Sequence, residues 1–228
     1  MNSGDGTALE LVLFDLDNTL LSGDSDYEWA QFLIEEGVLD RGRYEAENQR
    51  FYDQYKAGRL DIFEFLGFQL APLAHYPRAR LDRWHDAFME RKIRPIIRDK
   101  GRSLLSCHQD QGSLCAIITS TNAFVAGPIA RELGIAHLLA TEIEEIDGRF
   151  TGRARGTPCF REGKIERLNQ WLLEQHRSVQ SFSASWFYSD SRNDLPLLEH
   201  VTHPVAVDPD DVLRRTALER GWDVISLE

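Results

Sequence analysis

The sequence predicts an α/β protein with a Rossmann-like, doubly wound and mostly parallel sheet, and with a small all-helical domain inserted after the first strand. Three patterns support this fold class. Several short runs are apolar throughout, which is typical of strands covered on both faces. Later in the chain, such runs alternate with stretches of helical periodicity, as a parallel sheet requires. One long stretch near the beginning has helical periodicity alone.

The predicted strands are short and apolar, and they cover residues 9–14, 114–118, 186–188 and 204–207. The helical patterns that lie between and after them cover residues 124–133, 165–176, 195–200 and 212–220. Residues 142–152 alternate around Asp147-Gly148, a pair that is typical of a two-residue hairpin turn. We therefore expect a parallel sheet with helices around it and one separate antiparallel hairpin.

Residues 23–95 are predicted to form the helical insertion. Apolar and aromatic residues recur there at helical spacing, and Gly37, Gly58 and Pro77 divide the segment into three or four helices. A segment of this length is too long to be a structureless loop. We therefore expect a cap domain at 23–95, resting on a core domain made of residues 1–22 and 96–228.

Composition argues against several classes of function. The net charge of −11 disfavours non-specific binding to nucleic acid or to anionic membranes. No apolar run reaches the roughly 18 residues of a membrane span, and residues 1–10 lack the pattern of a signal peptide. Cys107, Cys115 and Cys159 have no metal-ligand spacing and indicate reduced thiols. We expect a cytoplasmic protein that acts on a small molecule, and the pattern indicates no particular oligomeric state.

Two carboxylates follow the first predicted strand. Asp15 and Asp17 stand where the apolar run of "LVLFDLDNTLL" ends. Ligands of open α/β sheets bind beyond the carboxyl ends of the strands, and adjacent carboxylates repel unless a cation or a shared proton joins them. Taken alone, the pair is equally compatible with a solvated turn. A calcium loop is disfavoured, because Leu20 stands where such a loop needs glycine and a strand precedes it.

The stretch "YSDSRNDLPLL" repeats this pattern. Asp190 ends a short apolar run, and Asp194 follows it. Asp194 alone could be an acidic residue favoured by a helix N-terminus. Together with the first pair, however, strand-end carboxylates recur at two places that a parallel sheet can bring together. Convergent carboxylates predict a divalent-cation site, and Mg²⁺ suits oxygen ligands and a phosphate.

Hydroxyl groups and one lysine complete the candidate site. The run "AIITSTN" at 116–122 ends in hydroxyls just before a predicted helix, an arrangement that suits a phosphate and also an ordinary N-cap. Lys164 begins another predicted helix, where the helix dipole disfavours a cation. A solvated surface position is one interpretation of this lysine. A nearby phosphate and several carboxylates would explain it as a neutralising charge.

These four stretches, in this order, resemble the motifs of the haloacid dehalogenase superfamily of phosphotransferases. "DLDNTL" is similar to D-x-D-x-T, and "IITST" is similar to an apolar strand ending in Ser or Thr. Lys164 matches the third motif, and "SDSRND" matches the fourth. The resemblance covers nearly the whole chain. The helical insertion and the C-terminal strand and helix resemble the phosphoserine-phosphatase-like subgroup, which has a helical cap.

The resemblance implies roles for individual residues. Asp15 is implied as the nucleophile that forms an aspartyl-phosphate, and Asp17 as the general acid and then the base. Thr119 and Lys164 are implied to bind phosphoryl oxygens. The implied Mg²⁺ residues are Asp15, Asp17 through its backbone carbonyl, Asp190 and, in a supporting role, Asp194. The other implied substrate contacts are Asp24, Ser120 and Asn193.

We expect a Mg²⁺-dependent phosphomonoesterase that acts on a small metabolite. Asp24 occupies the position where the resemblance implies a carboxylate for a substrate amine. In "FEFLGF", Phe68 stands where phosphoserine phosphatases carry an arginine for the substrate carboxylate. This favours an amino phosphate without a carboxylate, such as histidinol phosphate, over phosphoserine. Transfer of the phosphoryl group to an acceptor alcohol shares every motif and stays an alternative.

Overall fold

The computed structural model describes residues 9–228. The expectation for residues 1–10 therefore falls almost wholly on residues outside the described part of the chain. Between residues 9 and 228, no helix is long and apolar enough to cross a membrane. The predicted α/β fold class with a parallel sheet is confirmed.

The strands within the described residues are β1 (Leu11–Phe14), β2 (Leu114–Asn122), β3 (His137–Thr141), β4 (Ile143–Ile146), β5 (Arg149–Ala154), β6 (Ser185–Ser189), β7 (His203–Val207) and β8 (Asp223–Ile225). Six of them form one sheet in the order β3-β2-β1-β6-β7-β8, and every neighbouring pair is parallel. β4 and β5 pair antiparallel on their own, so the predicted hairpin around Asp147-Gly148 is confirmed.

The α-helices within the described residues are α1 (Ser25–Glu35), α2 (Arg41–Lys56), α3 (Ile62–Ala74), α4 (Arg78–Phe88), α5 (Asp99–Asp110), α6 (Ala123–Glu132), α7 (Glu162–Glu174), α8 (Leu195–Leu198) and α9 (Asp211–Arg220). Helices α5 and α6 contribute to an apolar cluster on one face of the sheet, and α7, α8 and α9 contribute to a cluster on the other face. The sheet is thus covered on both sides, as a doubly wound fold requires.

β1 lies in the middle of the sheet, between β2 and β6. All four of its residues are fully buried. Val12 and Phe14 belong to the apolar cluster on one face, whereas Leu11 and Leu13 belong to the cluster on the other. Successive side chains of a strand point to opposite faces, so a central strand with both faces covered is apolar throughout. This is why the first apolar run could be recognised as a strand.

Four helices, α1 to α4, occupy most of the segment predicted to be helical. Asp24, Asp40 and Asp61 precede the first three of them, and each accepts a hydrogen bond from a backbone N–H three residues further on. Aspartate at this N-cap position satisfies an amide that the helix itself leaves unpaired. The segment therefore contains the upper number of helices that the pattern predicted. Its division from the core at 22/23 and 95/96 stays a prediction.

The helical segment is not packed uniformly against the rest of the protein. Helices α1, α3 and α4 share one apolar cluster with the sheet, and Trp29 contacts both Phe88 and Phe124 there, with ring centroids 5.1 and 5.5 Å apart. No residue of α2 belongs to that cluster. Tyr44 of α2 instead joins a small separate cluster with Ala30 and Ile34 of α1. Of the four helices, α2 is therefore the least firmly joined to the sheet.

Candidate active site

The central strands of the sheet end at the same edge. Phe14, the last residue of β1, is paired with Ile117 of β2 and with Tyr188 of β6. Asp15 follows β1 directly, and Asp190 follows β6 directly. The parallel register therefore brings the two predicted carboxylate stretches to one place. This edge is also where ligands bind in open α/β sheets.

The chain turns sharply after Asp15. Asn18 has a left-handed backbone, with φ of 54°, and its N–H donates to the carbonyl of Gly23 at 3.0 Å. Asparagine adopts this conformation more readily than most residues. The turn buries Thr19, whose Oγ1 donates to Asp190 Oδ1 at 3.2 Å. A direct hydrogen bond thus joins the first motif to the fourth.

Lys164 lies between two carboxylates. Its Nζ donates to Asp15 Oδ1 at 3.0 Å and to Asp194 Oδ2 at 2.7 Å, and the residue is only 2% exposed. Ser189 Oγ donates to the same oxygen of Asp194 at 2.7 Å. Burial by itself favours the neutral amine, but Asp15 and Asp194 raise the pKa of Lys164 above its ordinary value. Lys164 is therefore a buried cation at the strand ends, and the surface interpretation is wrong.

Gly163 allows Lys164 to reach this position. A Cβ atom on Gly163 would collide with the backbone oxygen of Pro158, in the loop that precedes α7. That oxygen accepts a hydrogen bond from Phe160 N at 2.8 Å, within the same loop. Close approach of two backbones is a recurrent reason for glycine. The first turn of α7 thereby reaches the strand ends.

Burial raises the pKa values of the carboxylates that face each other here. It raises the pKa of Asp15 to about 7, while the charge of Lys164 acts in the opposite direction. The pKa of Asp190 lies well above its usual range because of burial and, next, because of the charges of Asp15 and Asp194. Buried carboxylates that destabilise each other's ionised form are stabilised by a shared cation. Oxygen donors of this kind fit Mg²⁺.

The four predicted metal residues are not gathered around one point. Within residues 9–228, no group of three or more His, Cys, Asp or Glu side chains is arranged to hold a metal ion. The carboxylate of Asp17 is directed toward α1 and β2, and that of Asp194 is bound to Lys164. The side chains that remain for a cation are those of Asp15 and Asp190. The implied ligand set, with the backbone carbonyl of Asp17 as the third group, stays a prediction.

Two hydrogen bonds hold the carboxylate of Asp17. Oδ1 accepts from the backbone N–H of Ser25, and Oδ2 accepts from Thr121 Oγ1, both at 2.6 Å. Burial is the largest of the effects that raise the pKa of Asp17 to about 6. A carboxyl group that titrates near neutrality can both give and take a proton. Thr121 was not among the predicted site residues, although strand alternation places it on the same face as Thr119.

The other predicted phosphate and substrate contacts differ in their surroundings. Thr119 is fully buried, and its Oγ1 accepts from the backbone N–H of Thr121 at 3.2 Å. Ser120 lines the cavity next to these residues. Asn193 does not line it, and Asn193 Oδ1 accepts from Nε and Nη2 of Arg161 at 3.1 and 3.0 Å. Arg161 was not among the predicted site residues.

We call the following residues the strand-end cluster: Asp15, Asp17, Thr121, Lys164, Asp190 and Asp194. A cavity of about 430 Å³ adjoins it. On the side of the strand ends and α1, the cavity is lined by Asp15, Asp17, Asn18, Asp24, Asp26, Tyr27, Ser120, Thr121 and Phe160. The remaining lining residues, which we call the helical wall, are Asn48, Gln49, Phe51, Tyr52, Tyr55, Leu60, Ile62, Phe65 and Gln69. None of the described residues that line the cavity is Lys, Arg or His.

Two further carboxylates line the cavity at the N-terminus of α1. Asp24 accepts from the backbone N–H of Tyr27 at 2.9 Å. Asp26 is 7% exposed and accepts from Asn122 Nδ2 at 3.0 Å. Within residues 9–228, neither carboxylate forms an ion pair. Asp26 was not among the predicted site residues. Burial raises its pKa well above the usual range and raises the pKa of Asp24 as well, so a cation beside the two carboxylates would stabilise their ionised forms.

The position predicted to replace an arginine lies behind the helical wall. Phe68 does not line the cavity but stacks on Tyr44, with ring centroids 4.5 Å apart, and contacts Phe51 at 5.3 Å. Arg50, which directly precedes Phe51 on α2, forms ion pairs with Glu47 and Glu64 at the surface. The described lining of the cavity thus offers no arginine to a substrate carboxylate.

Sequence comparison relates the chain to characterised phosphatases. A model of the haloacid dehalogenase-like hydrolase family matches residues 12–199. The histidinol-phosphatase of Neisseria meningitidis serogroup C (strain 8013) is 47% identical over 96% of this chain and 99% of its own length. Phosphoserine phosphatase SerB1 of Mycobacterium tuberculosis (strain ATCC 25618 / H37Rv) is 31% identical over 93% of this chain and 69% of its own length.

Structural comparison gives matches over nearly the whole chain. A protein of unknown function from Bordetella pertussis Tohama I superposes with a TM-score of 0.92 and 46% identity, covering 97% of this chain and 100% of that one. A substrate-bound phosphoserine phosphatase superposes with a TM-score of 0.69 and 17% identity, covering 96% and 93%. At that identity the second match shows a shared fold alone.

Proposed function

Because the chain belongs to the haloacid dehalogenase-like hydrolase family and is a phosphatase of that family, we propose that it hydrolyses histidinol phosphate in a Mg²⁺-dependent reaction. One observation carries the choice of substrate. The cavity is lined by four carboxylates and by a wall of aromatic, aliphatic and amide side chains, and none of its described lining residues is basic. The 47% identity to a protein named histidinol-phosphatase supports the same choice.

The parts of this substrate match the parts of the cavity. Its phosphate would lie at the strand-end cluster, and its ammonium group beside Asp24 and Asp26, since carboxylates bind such a group through charge-assisted hydrogen bonds. Its ring would lie against the helical wall, because flat rings pack well on aromatic and apolar side chains. Phosphoserine adds a carboxylate, which no described lining residue would neutralise.

The strand-end cluster fits Mg²⁺ through oxygen donors alone. Asp15, Asp190 and the backbone carbonyl of Asp17 would hold the ion, and Asp194 would support the site through its bond to Lys164. When bound, the ion supplies positive charge to phosphoryl oxygens and to the buried carboxylates around it. This positive charge would stabilise the ionised forms of Asp15 and Asp190, which burial and mutual repulsion disfavour.

The protein's own residues would carry out two displacements at phosphorus. A carboxylate oxygen of Asp15 attacks, the bond from phosphorus to the substrate oxygen breaks, and Asp17 protonates the leaving alkoxide. Asp17 then takes a proton from water, which attacks the aspartyl-phosphate and releases inorganic phosphate. Lys164 would bind phosphoryl oxygens, and so would Thr119, whose Oγ1 accepts from Thr121 N and keeps its own proton to donate.

We also propose that residues 23–95 act as a cap that carries the helical wall. The contacts between this segment and the core at the edge of the cavity are polar. Tyr55 Oη lies 2.7 Å from Ser191 Oγ, and Arg161 Nη2 donates to the backbone oxygen of Gly58 at 2.5 Å. A few hydrogen bonds can break and reform as substrate enters and product leaves. A cytoplasmic location is part of the same proposal.

Phosphate release from histidinol phosphate, phosphoserine and O-phosphoethanolamine tests the proposed function. With Mg²⁺, we expect histidinol phosphate to have the highest kcat/KM and phosphoserine to be at least about tenfold poorer, because its carboxylate is unpaired in the cavity. EDTA should abolish turnover of every ester. Asp15→Asn should lower it by at least about 1,000-fold, because the nucleophile is lost. Asp110→Asn, an exposed change of the same chemistry on α5, is the matched control.

Two outcomes would contradict the proposal. A higher kcat/KM on phosphoserine than on histidinol phosphate would show that the acidic cavity does not select against a carboxylate. Retained turnover in Asp15→Asn would show that another group is the nucleophile. Release of a phosphorylated alcohol, when an acceptor alcohol is added in excess, would favour phosphotransfer over hydrolysis.

A further inference from the structure

One amide of the helical wall has a free donor. Gln69 of α3 is 5% exposed and lines the cavity. Its Oε1 accepts a hydrogen bond of 2.6 Å from Tyr44 Oη. Within residues 9–228, its Nε2 has no hydrogen-bond partner. A buried amide that uses only one of its two ends is costly unless a ligand or water pairs with the other end.

Tyr44 fixes the orientation of this amide. Its ring is 6% exposed and stacks on Phe68, with centroids 4.5 Å apart and planes 29° apart. The phenol is therefore held in one place, with its hydroxyl directed at Gln69. A phenolic O–H that donates to Oε1 makes the opposite end of the amide, Nε2, the end that offers hydrogens. The pair thus presents a hydrogen-bond donor, and no acceptor, to the cavity.

The surroundings of this donor suit a flat ring. Ile62, Phe65 and Gln69 follow one another at spacings of three and four residues, so they lie along one face of α3. Phe51 on α2 faces them across the same cavity and contacts Phe65, with ring centroids 5.3 Å apart. Ile62, Phe65 and Phe51 thus form an apolar patch around the amide of Gln69, and an apolar patch with a placed donor recognises a ring that carries an acceptor atom.

We infer that Gln69 is a specificity-determining residue, which donates from Nε2 to the unprotonated ring nitrogen of an imidazole-bearing amino-alcohol phosphate, and that Tyr44 is its positioning residue. The inference rests on the proposed function and deepens it, since it names the atom of the ring that the enzyme recognises. A site built to hydrogen-bond a substrate atom rejects analogues that lack the atom, because the buried amide is then left unpaired.

The test compares two substrates that differ only in the ring. Histidinol phosphate has the ring nitrogen, whereas phenylalaninol phosphate has a benzene ring in its place and keeps the amine, the chain and the phosphate ester. Assays at pH 8 keep an imidazole of ordinary pKa, near 6.5, neutral. The quantity measured is the ratio of the two kcat/KM values, first for the wild type and then for Gln69→Leu. The matched control is Gln109→Leu, which makes the same change on the exposed face of α5.

We expect the wild type to prefer histidinol phosphate and Gln69→Leu to lose about 5- to 100-fold of that preference, mainly through KM for histidinol phosphate. The control should keep the wild-type ratio. Tyr44→Phe should lower the ratio in the same direction and by less, since the amide remains but is free to turn. Adding Tyr44→Phe to Gln69→Leu should change the ratio little further, because the two residues act through one contact.

The results separate failure of this inference from failure of the proposed function. A wild type that does not hydrolyse histidinol phosphate overturns both. A wild type that hydrolyses it while Gln69→Leu keeps the ratio overturns the inference alone. Independent, additive effects of Tyr44→Phe and Gln69→Leu overturn the positioning role of Tyr44. Turnover of phenylalaninol phosphate by each variant shows that it is folded, so an unchanged ratio cannot be attributed to misfolding.

Discussion

The strand-end cluster and the helical wall bound one cavity but are built in opposite ways. In the strand-end cluster, charged side chains from distant parts of the sequence meet in direct hydrogen bonds. Lys164, for example, contacts both Asp15 and Asp194. The helical wall comes from two neighbouring helices and the turn between them, and its side chains are aromatic, aliphatic or amide. Gln69 of this wall accepts a hydrogen bond from Tyr44, which lies next to the wall.

This difference indicates which region sets the chemistry and which sets the choice of substrate. The strand ends are fixed by the register of β1 with β2 and β6, and β1 is fully buried, so the charged side chains of the strand-end cluster cannot shift much. Helix α2 adds nothing to the apolar cluster shared with the sheet. The side chains that α2 contributes to the wall can therefore change without disturbing the strand ends. Changes in the strand-end cluster should slow all alkyl phosphates alike, and changes in the wall should alter the preference among them.

The largest effect is expected for Lys164→Met. Methionine keeps much of the length of the side chain but leaves phosphoryl oxygens, Asp15 and Asp194 without the buried cation. Loss of one such stabilising group costs about 100- to 1,000-fold in kcat. Steady-state assays on histidinol phosphate and O-phosphoethanolamine should show similar losses for both.

Lys92→Met is the control for this change, since Lys92 forms its ion pair with Glu35 at 2.7 Å, outside the cavity. It should keep wild-type turnover. A loss of activity in Lys164→Met that is confined to histidinol phosphate would contradict this division of roles, because the strand-end cluster would then select the substrate. Thermal unfolding of both variants shows whether the fold is retained.

A smaller effect is expected for Thr121→Val, which removes the hydroxyl bound to Asp17 Oδ2 at 2.6 Å and preserves the shape of the side chain. The proposed general acid is then held by Ser25 N alone. We expect about a tenfold loss of kcat on alkyl phosphates, as for a misplaced acid–base group. The loss should be smaller on p-nitrophenyl phosphate, whose leaving group needs little protonation.

Thr121→Ser retains the hydroxyl and should recover most of the activity that Thr121→Val loses. Equal losses on the alkyl and the nitrophenyl ester would show that Thr121 does not act through protonation of the leaving group. In that case its contact with Asp17 would be structural only.

The smallest effect concerns the contact between α4 of the helical segment and α6, which packs on the sheet. His85 of α4 is 3% exposed, and its Nε2 donates to the backbone oxygen of Val125 at 3.1 Å. Burial lowers its pKa below the ordinary value. The unfolded chain therefore binds this proton more readily, so the contribution of His85 to stability is complete above about pH 6.5 and declines as pH falls below that value.

Thermal or urea unfolding at pH 7.5 and 5.5 measures this contribution. His85→Gln does not titrate and keeps an N–H donor. The wild type should therefore lose more free energy of unfolding than the variant between the two pH values, up to the limit of about 1.4 kcal/mol that an unfolded-state pKa near 6.5 sets. The buried carboxylates, whose raised pKa values act in the opposite direction, are common to both proteins and cancel in the difference. An equal loss of stability in the wild type and in His85→Gln would show that protonation of His85 does not affect stability.

The strand-end cluster was largely predictable from the sequence. Parallel strands force residues that follow them to one edge, so Asp15 and Asp190 could be placed together from their positions after apolar runs alone. Lys164 stood out because a cation at a helix N-terminus needs an explanation. Thr121 was missed because "TST" offers three hydroxyls, and only the path of β2 decides which of them reaches Asp17.

The helical wall could not be predicted to the same degree. Helical periodicity shows that one face of a helix is apolar. It does not show which other helix packs on that face, or which residues of the two helices come into contact. Phe68 was predicted to stand in place of a substrate-binding arginine. In the structure it stacks on Tyr44 and does not line the cavity, whereas Gln69 next to it does. A shift of one residue along a helix turns a side chain by about 100°. The pairing of Gln69 with Tyr44 also depends on how α2 and α3 pack.

The measurement that tests the account most directly is the ratio of kcat/KM for histidinol phosphate to that for O-phosphoethanolamine, which keeps the amine and the alkyl phosphate but has no ring. The ratio is determined for the wild type, Thr121→Val and Gln69→Leu. We predict that Thr121→Val lowers both values and keeps the ratio, and that Gln69→Leu lowers the ratio by about 5- to 100-fold. Equal ratios in all three proteins, or a ratio that changes only in Thr121→Val, would contradict the division between the strand-end cluster and the helical wall.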